Sequence, residues 1–247
     1  YSQAPEPVGQ VIHRDWGDPT MPSTKSAHYV GGYEWKISEL ISADLQLYIN
    51  RQWDVPRMAS EEDQSDKPGV LWLPNDRGRM RGIELMLRHN RSERFFGWLA
   101  YSLSKSERYN PHTKRYELFG NDQTHNIQLL ASWHLNREWD TGFRLRYVTG
   151  NPTTPYVGVT EWENYNFFAP VEGEKNSARL KPAFQVDVRI DKKFVFDKWM
   201  LSTYIDIQNL SWLFYKTPEM EQYNYDYSEK STVAMFILPA LGVRAEF

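Results

Sequence analysis

The chain has 247 residues, with 29 Lys plus Arg against 32 Asp plus Glu, so it lacks the basic excess that a nucleic-acid partner calls for. It contains no cysteine, which excludes disulfide frameworks, thiolate catalysis, Cys-based zinc sites and iron–sulfur clusters. Its mean hydropathy is −0.67 and it has no run of about 18 apolar residues, which excludes a transmembrane helix, yet 15% of its residues are aromatic.

Residues 1–26 carry Pro5, Pro7, Pro19 and Pro22 and read as a loop segment, although a poorly patterned strand could occupy 8–16. Nine strands are predicted after it: 27–37, 43–53, 78–88, 95–105, 123–134, 139–148, 183–193, 199–209 and 231–247. Most are about ten residues long, the length a tilted strand needs to cross a bilayer. Their alternation is regular. In the third, Ile83, Leu85 and Leu87 oppose Gly82, Glu84 and Arg88; in the sixth, Phe143, Leu145 and Tyr147 oppose Gly142, Arg144 and Arg146. In the seventh, Val186, Val188 and Ile190 oppose Gln185, Asp187, Arg189 and Asp191, and in the eighth Thr203, Ile205 and Ile207 oppose Ser202, Asp206 and Gln208. In the ninth, Val233, Met235, Ile237, Leu241, Val243, Ala245 and Phe247 share one phase, against Thr232, Gly242, Arg244 and Glu246.

A soluble β-sandwich or lipocalin-like barrel would alternate too, so the connections decide. The links at 38–42, 89–94, 136–138 and 194–198 are tight, whereas those at 54–76, 106–122, 149–182 and 210–230 are long. Short and long links alternate strictly, as periplasmic turns and extracellular loops do in an all-β, transmembrane antiparallel β-barrel. Tyr29, Tyr33, Trp35, Trp53, Trp139 and Trp199 then read as interface girdles. Nine strands ending inward imply a start outside the cell. Single-chain bacterial barrels have even strand numbers, so the expectation is the C-terminal part of a larger barrel.

The runs GRMRGIEL (78–85), WLAYSLSK (98–105), NDQTHNI (121–127), RYVTGNPTTP (146–155), FQVDVRIDK (184–192), YIDIQNL (204–210) and GVRAEF (242–247) occur in an order and at spacings that resemble the C-terminal region of TonB-dependent outer-membrane receptors. The resemblance runs from about residue 27 to the end. It implies a 22-stranded barrel of the Gram-negative outer membrane, occupied by a plug domain. A TonB-type energy transducer would act through an N-terminal portion that this sequence does not contain. It also implies that Gly242 and Phe247 belong to a C-terminal signal for barrel assembly. The expected function is import of a scarce ligand: a metal chelate, vitamin or oligosaccharide. The alternative is a receptor-like barrel serving as a structural or docking platform for a surface lipoprotein or a neighbouring barrel, and a passive pore comes third. Expected partners are outer-membrane lipid, the plug and the remaining strands.

Two residue sets are singled out for contact. Glu84, Arg88, Arg144, Arg146, Asp187, Arg189, Asp191 and Asp206 fall in the polar phases, where they would face the lumen and a plug or ligand, or simply form a cross-strand charge network. Trp162, Tyr165, Phe167 and Phe168 in one long loop, and Tyr215, Tyr223, Tyr225 and Tyr227 in another, would grip a ligand or partner, or pack the loops together. The six histidines have no metal-ligand spacing, and the acidic run Glu61, Glu62, Asp63 and Asp66 has no EF-hand pattern. GXSXG and HEXXH are absent, so neither an enzyme nor a cofactor is expected.

Overall fold

A chain that alternates apolar and polar residues sends them to opposite faces of a strand, and tight turns fold neighbouring runs into antiparallel hairpins. The computed structural model describes residues 22–59, 63, 65, 72–162 and 167–247, and in it this logic carries through nine long strands. In chain order the elements are β1 (Lys25–Lys36), β2 (Ile41–Met58), β3 (Trp72–His89), β4 (Phe95–Asn110), β5 (Arg115–Leu118), β6 (His125–His134), β7 (Trp139–Val148) and β8 (Pro152–Thr153). There follow β9 (Tyr156–Trp162), β10 (Phe167–Glu172), β11 (Ala178–Arg179), β12 (Ala183–Val195), β13 (Met200–Gln208), a 3-10 turn (Leu210–Leu213), β14 (Pro218–Tyr223), β15 (Lys230–Ala234) and β16 (Leu238–Glu246). The main sheet runs β1-β2-β3-β4-β6-β7-β12-β13-β16, with β5 added to the far part of β4. Every neighbouring pair is antiparallel.

The turns follow from local side-chain chemistry. Ser38 Oγ accepts from the N–H groups of Leu40 and Ile41 at 3.3 and 3.1 Å, Ser92 Oγ from Phe95 at 3.1 Å, and Asn136 Oδ1 from Glu138 and Trp139 at 2.9 and 3.0 Å. The long links are not bare loops. They carry the small antiparallel pairs β8–β11, β9–β10 and β14–β15. The strands β2, β3 and β4, of 18, 18 and 16 residues, run past the expected crossing length at the long-link end. The ninth expected strand is corrected. Residues 230–234 pair with β14, and the chain leaves strand geometry at 235–237 before β16 begins. There Asn209 Nδ2 donates to the carbonyls of Met235 and Phe236 at 3.0 and 3.3 Å, so a side chain takes acceptors that a continuous ladder would use. The expected strand at 8–16 lies outside the described residues.

Register keeps each face continuous. Tyr33, Leu45, Leu85, Tyr101, Ile127, Tyr147 and Phe184 form one cross-strand row, and Asp44, Met86, Ala100, Gln128, Arg146 and Gln185 form a row on the other face. No protein covers the apolar face: Leu47 is 53% exposed, Ile205 50% and Val243 72%. Among the described residues the buried apolar side chains are Leu73, Ala131 and Val148 alone. At the short-turn end this face is rimmed with rings, Phe95 on Trp133 at 5.2 Å, Phe196 on Trp199 at 4.3 Å and Trp199 on Phe247 at 6.0 Å. Lys192 Nζ rests 4.8 Å from both Trp139 and Phe194 in the same rim.

Two glycines on the polar face seat tyrosine rings from the neighbouring strand. A Cβ at Gly82 would stand 2.6 Å from the hydroxyl of Tyr48, and one at Gly242 would stand 2.1 Å from the ring of Tyr204. Gly242→Ala is therefore expected to destabilise the protein by about 1–3 kcal/mol through overpacking, and Tyr204→Ala in the same chain to remove most of that cost. Urea unfolding of the two single variants and the double variant checks this; additive losses would mean that the ring does not occupy the glycine's space.

Candidate functional site

The polar face gathers the charges. All eight residues singled out from the polar phases occupy it in register, with Asp187 opposite Arg144, Gln185 opposite Arg146 and Asp206 opposite Arg189. Their partners differ. Asp187 is almost fully buried and saturated: it accepts from Arg144 Nε at 2.6 Å, Gln185 Nε2 at 2.9 Å and the backbone N–H of Asn209 at 2.8 Å. That carboxylate has no capacity left for a ligand; it ties two strands to the start of a long link. Arg189 donates to Asp191 at 2.7 and 2.9 Å, and its guanidinium lies 3.9 Å over Tyr204. Glu84, Arg88 and Arg146 are exposed and make no ion pair among the described residues, so they remain available to an incoming group.

A hollow of about 1040 Å³ lies on this face at the short-turn end, between Arg189, Asp191, Lys193, His134, Asp140 and Arg244, and a smaller one of about 280 Å³ is lined by Arg144, Asp187, Arg189 and Asp206. Within the larger, Asp140 accepts from Lys193 Nζ at 2.7 Å and meets His134 Nδ1 at 2.5 Å. A further hollow, about 890 Å³, is lined by residues of both phases, among them Tyr48, Gly82, Ser104 and Arg179 with Ile49 and Ile83.

Arg179 belongs to a buried lock that the sequence reading did not single out. Asp122 is fully buried; it accepts from Arg179 Nη2 and the Ser106 N–H, both at 2.6 Å, and from Thr124 Oγ1 at 3.0 Å. Arg179 Nη1 also donates to the carbonyls of Asp122 and Gly150, each at 3.0 Å. A Cβ at Gly150 would stand 1.9 Å from the Leu180 carbonyl oxygen, so only glycine fits there. The arm formed by β8–β11 is thus pinned to the link between β5 and β6. A second lock surrounds Ser211, whose hydroxyl donates toward Phe184 O at 3.2 Å and Asn209 Oδ1 at 2.9 Å and accepts from the Val186 N–H at 3.2 Å. The runs NDQTHNI, TGNP and YIDIQNL held the only signal for these locks, as polar residues beside strand ends.

The aromatic loop residues meet one another. Tyr156 packs on Tyr223 and Tyr227 with ring centres 5.0 and 5.6 Å apart, and Phe168 meets Tyr225 at 5.4 Å. These contacts join the β9–β10 hairpin to the β14–β15 hairpin. The hydroxyl of Tyr215 donates to Pro182 O at 2.6 Å. Phe167 is exposed, and Tyr225 keeps 64% of its surface open. Tyr165 and the side chain of Trp162 lie outside the described residues. At the long-link end, another hollow, of about 650 Å³, includes Asp76, Arg108, Asn110, Glu117 and Lys175. Nη1 of Arg108 is buried there without a hydrogen-bond partner among the described residues, and burial pushes the Asp76 carboxyl above its ordinary range. Among the described residues no group of three or more His, Asp and Glu could hold a metal ion.

No family model and no curated protein matches the sequence. Solved structures do match its backbone. The ferripyoverdine receptor of the outer membrane of Pseudomonas aeruginosa, bound to ferripyoverdine, aligns with a TM-score of 0.59 at 9% identity over 90% of this chain and 27% of that one. The ferric-catecholate import receptor Fiu from E. coli K12 aligns with a TM-score of 0.57 at 13% identity over 90% of this chain and 28% of that one. The chain therefore shares its fold with part of these β-barrels and spans about a quarter of the length of these structures.

Breaking the buried lock has a defined expectation. Asp122→Asn leaves Arg179 without its charge partner and should cost about 3 kcal/mol, the low end for a buried pair because Arg179 keeps some solvent. Thermal unfolding, with protease cleavage within 149–182 as the local readout, checks it; Arg179→Ala should add little on top. A pH effect follows at Glu107, which lies beyond the membrane-length part of β4. Burial pushes this carboxyl up, but hydrogen bonds and charge from Arg79 and Lys105 outweigh it and hold it below its ordinary 4.5. Its contribution is complete above that ordinary value and is lost as pH falls through the lower folded value. Wild type should therefore lose thermal stability across that acidic window more than Glu107→Gln does.

Proposed function

We propose that this chain is the C-terminal wall of a TonB-dependent receptor barrel in the Gram-negative outer membrane, importing a scarce ligand such as a metal chelate, vitamin or oligosaccharide. The observation that carries this reading is a nine-strand sheet with one face apolar and uncovered and the other face lined with charge. Such a sheet suits lipid on one side and a wet lumen on the other. The strands β1 and β16 each have a single neighbour in the sheet, and an unpaired edge in hydrocarbon leaves backbone groups unsatisfied, so further strands complete the barrel. Exposed Glu84, Arg88 and Arg146 then face the plug, and Arg108 beside the long links suits an anionic group on the ligand. Residues 27–247 fall in this barrel portion, whose first strand begins at Lys25.

The aromatic contacts between the two loop hairpins favour a second reading, in which stiffened loops hold a surface lipoprotein or a neighbouring barrel. Cysteines introduced in the full-length protein separate the two. For import, Glu84→Cys and Arg146→Cys should crosslink to a plug domain while Leu85→Cys and Leu145→Cys do not, and uptake across a panel of ferric siderophores, cobalamin and oligosaccharides should stop when the TonB-type system is removed. A permanent partner crosslinked to 149–182, with no plug and no uptake, would instead establish the platform.

A further inference from the structure

The β9–β10 hairpin, in the long link between β7 and β12, is covered on neither face. In β9 every residue from Tyr156 to Glu161 is exposed, whereas Phe168, Ala169 and Pro170 in β10 are half-buried. Exposed apolar side chains stand on both faces of the pair: Val157 and Val159, 67% and 40% exposed, on one, and Phe167 and Val171, 55% and 42% exposed, on the other. A two-stranded hairpin is marginal in water without a third strand or a covering layer. The contacts of Tyr156 and Phe168 with the β14–β15 hairpin and the tyrosines after it meet only part of this surface.

The two edges of the hairpin differ. Val159 stands opposite Pro170, and proline has no N–H to give to a ladder. A proline in an edge strand turns its nitrogen to the open side, so this pair directs its backbone groups away from the hairpin's own ladder. The edge of β10 is thereby blunted at Pro170. The edge of β9 instead offers the N–H and C=O of Val159 at its centre, and it holds neither proline nor lysine, the residues that ordinarily protect an edge. Among the described residues no backbone group of 157–161 bonds outside the β9–β10 pair. The charge around this edge has one sign. Between Arg146 and Lys175 the sequence has no cation, but it has Glu161, Glu163, Glu172 and Glu174. Glu161, Glu172 and Glu174 are exposed and make no ion pair among the described residues.

We propose that the outer edge of β9 docks an extended, cationic segment of a partner polypeptide, which adds a third strand to the hairpin by β-augmentation. Charge complementarity selects the partner: its cations answer Glu161 and Glu172, and its apolar side chains extend the faces formed by Val159 and Val171. This rests on the reading that the long links lie outside the cell, where such a partner reaches them.

The test uses the full-length protein in nanodiscs and, as probe, a synthetic peptide of alternating lysine and valine. It is compared with the same peptide carrying glutamate for lysine and with the same peptide N-methylated at every amide. Hydrogen exchange should find the amides of Val157, Val159 and Glu161 fast in the free protein and slowed by the lysine peptide. The N-methylated peptide should bind roughly tenfold more weakly, the equivalent of one or two net hydrogen bonds, and the glutamate peptide should not bind measurably. Val159→Pro, which blunts β9 as Pro170 blunts β10, should weaken the lysine peptide to the same extent; the N-methylated peptide makes the same point without altering the protein. Equal binding of the three peptides, or protection away from 157–161, would overturn the docking edge. So would amides of 157–161 that are already slow in the free protein, whether another loop of the barrel or a second copy covers them. Labelling of Val157→Cys on intact cells separates the two levels. A cysteine that labels, with no peptide binding, removes the docking edge alone; one that never labels, although the protein reaches the outer membrane, removes the reading that these links lie outside the cell and the docking edge with it.

Discussion

The structure depends on one constraint: a ladder of nine antiparallel strands whose two side-chain sets never exchange faces. Because the period is two, a slip of one residue at any pair would carry a whole apolar set to the charged side. The register is unbroken across the membrane-length parts of the strands, and the bulges fall at 52–57, beyond that region. A sheet this large ordinarily hides its apolar face under a second layer. Among the described residues no second layer covers this face and its apolar side chains remain exposed, as suits an apolar solvent on that side.

What replaces a core is polar. Among the described residues the buried polar side chains, at Asp76, Glu107, Asp122, Asp187, Asn209, Ser211 and Thr217, outnumber the buried apolar ones, and none of them belongs to the apolar face of the membrane-length segments. They sit where long links return to the sheet. Asp187 joins β12 to β7 and to the chain after β13, and Asp122 joins the β8–β11 arm to the start of β6. A carboxylate with several donors fixes direction as well as distance, which packing of apolar groups does not. The long links are therefore oriented by charge at their roots and by aromatic contacts at their tips.

Much of this was legible in the sequence. The nine strands and their turns follow from alternation and from Ser38, Ser92 and Asn136, because both signals are local. The ninth strand is shorter than its alternation implies, since Val233, Met235 and Ile237 keep the right phase although Asn209, 26 residues upstream, takes the carbonyl of Met235. Period cannot reveal a competitor for backbone acceptors that is distant in sequence. For the same reason the sequence leaves Asp187 open between a plug or ligand contact and a cross-strand network, and its three donors from separate places carry no joint signal. Asp122 and Arg179, 57 residues apart, carry no joint signal in a single sequence.

The distribution of partners also sorts the surface by what is left over. In the loops, Tyr156, Tyr223 and Tyr227 satisfy one another, which removes most of their ring area from any other contact. On the charged face, Asp187 and the Arg189–Asp191 pair are satisfied in the same sense. Among the described residues, those without an ion pair include Glu34, Glu84, Asp206, Arg88 and Arg146 on that face, Arg108 near the long links, and Arg51 and Arg81 on the apolar side. On the apolar side Glu107 is taken by Arg79 and Lys105, which leaves Arg51 and Arg81 without a carboxylate among the described residues, whereas the charged face keeps unpaired groups of both signs.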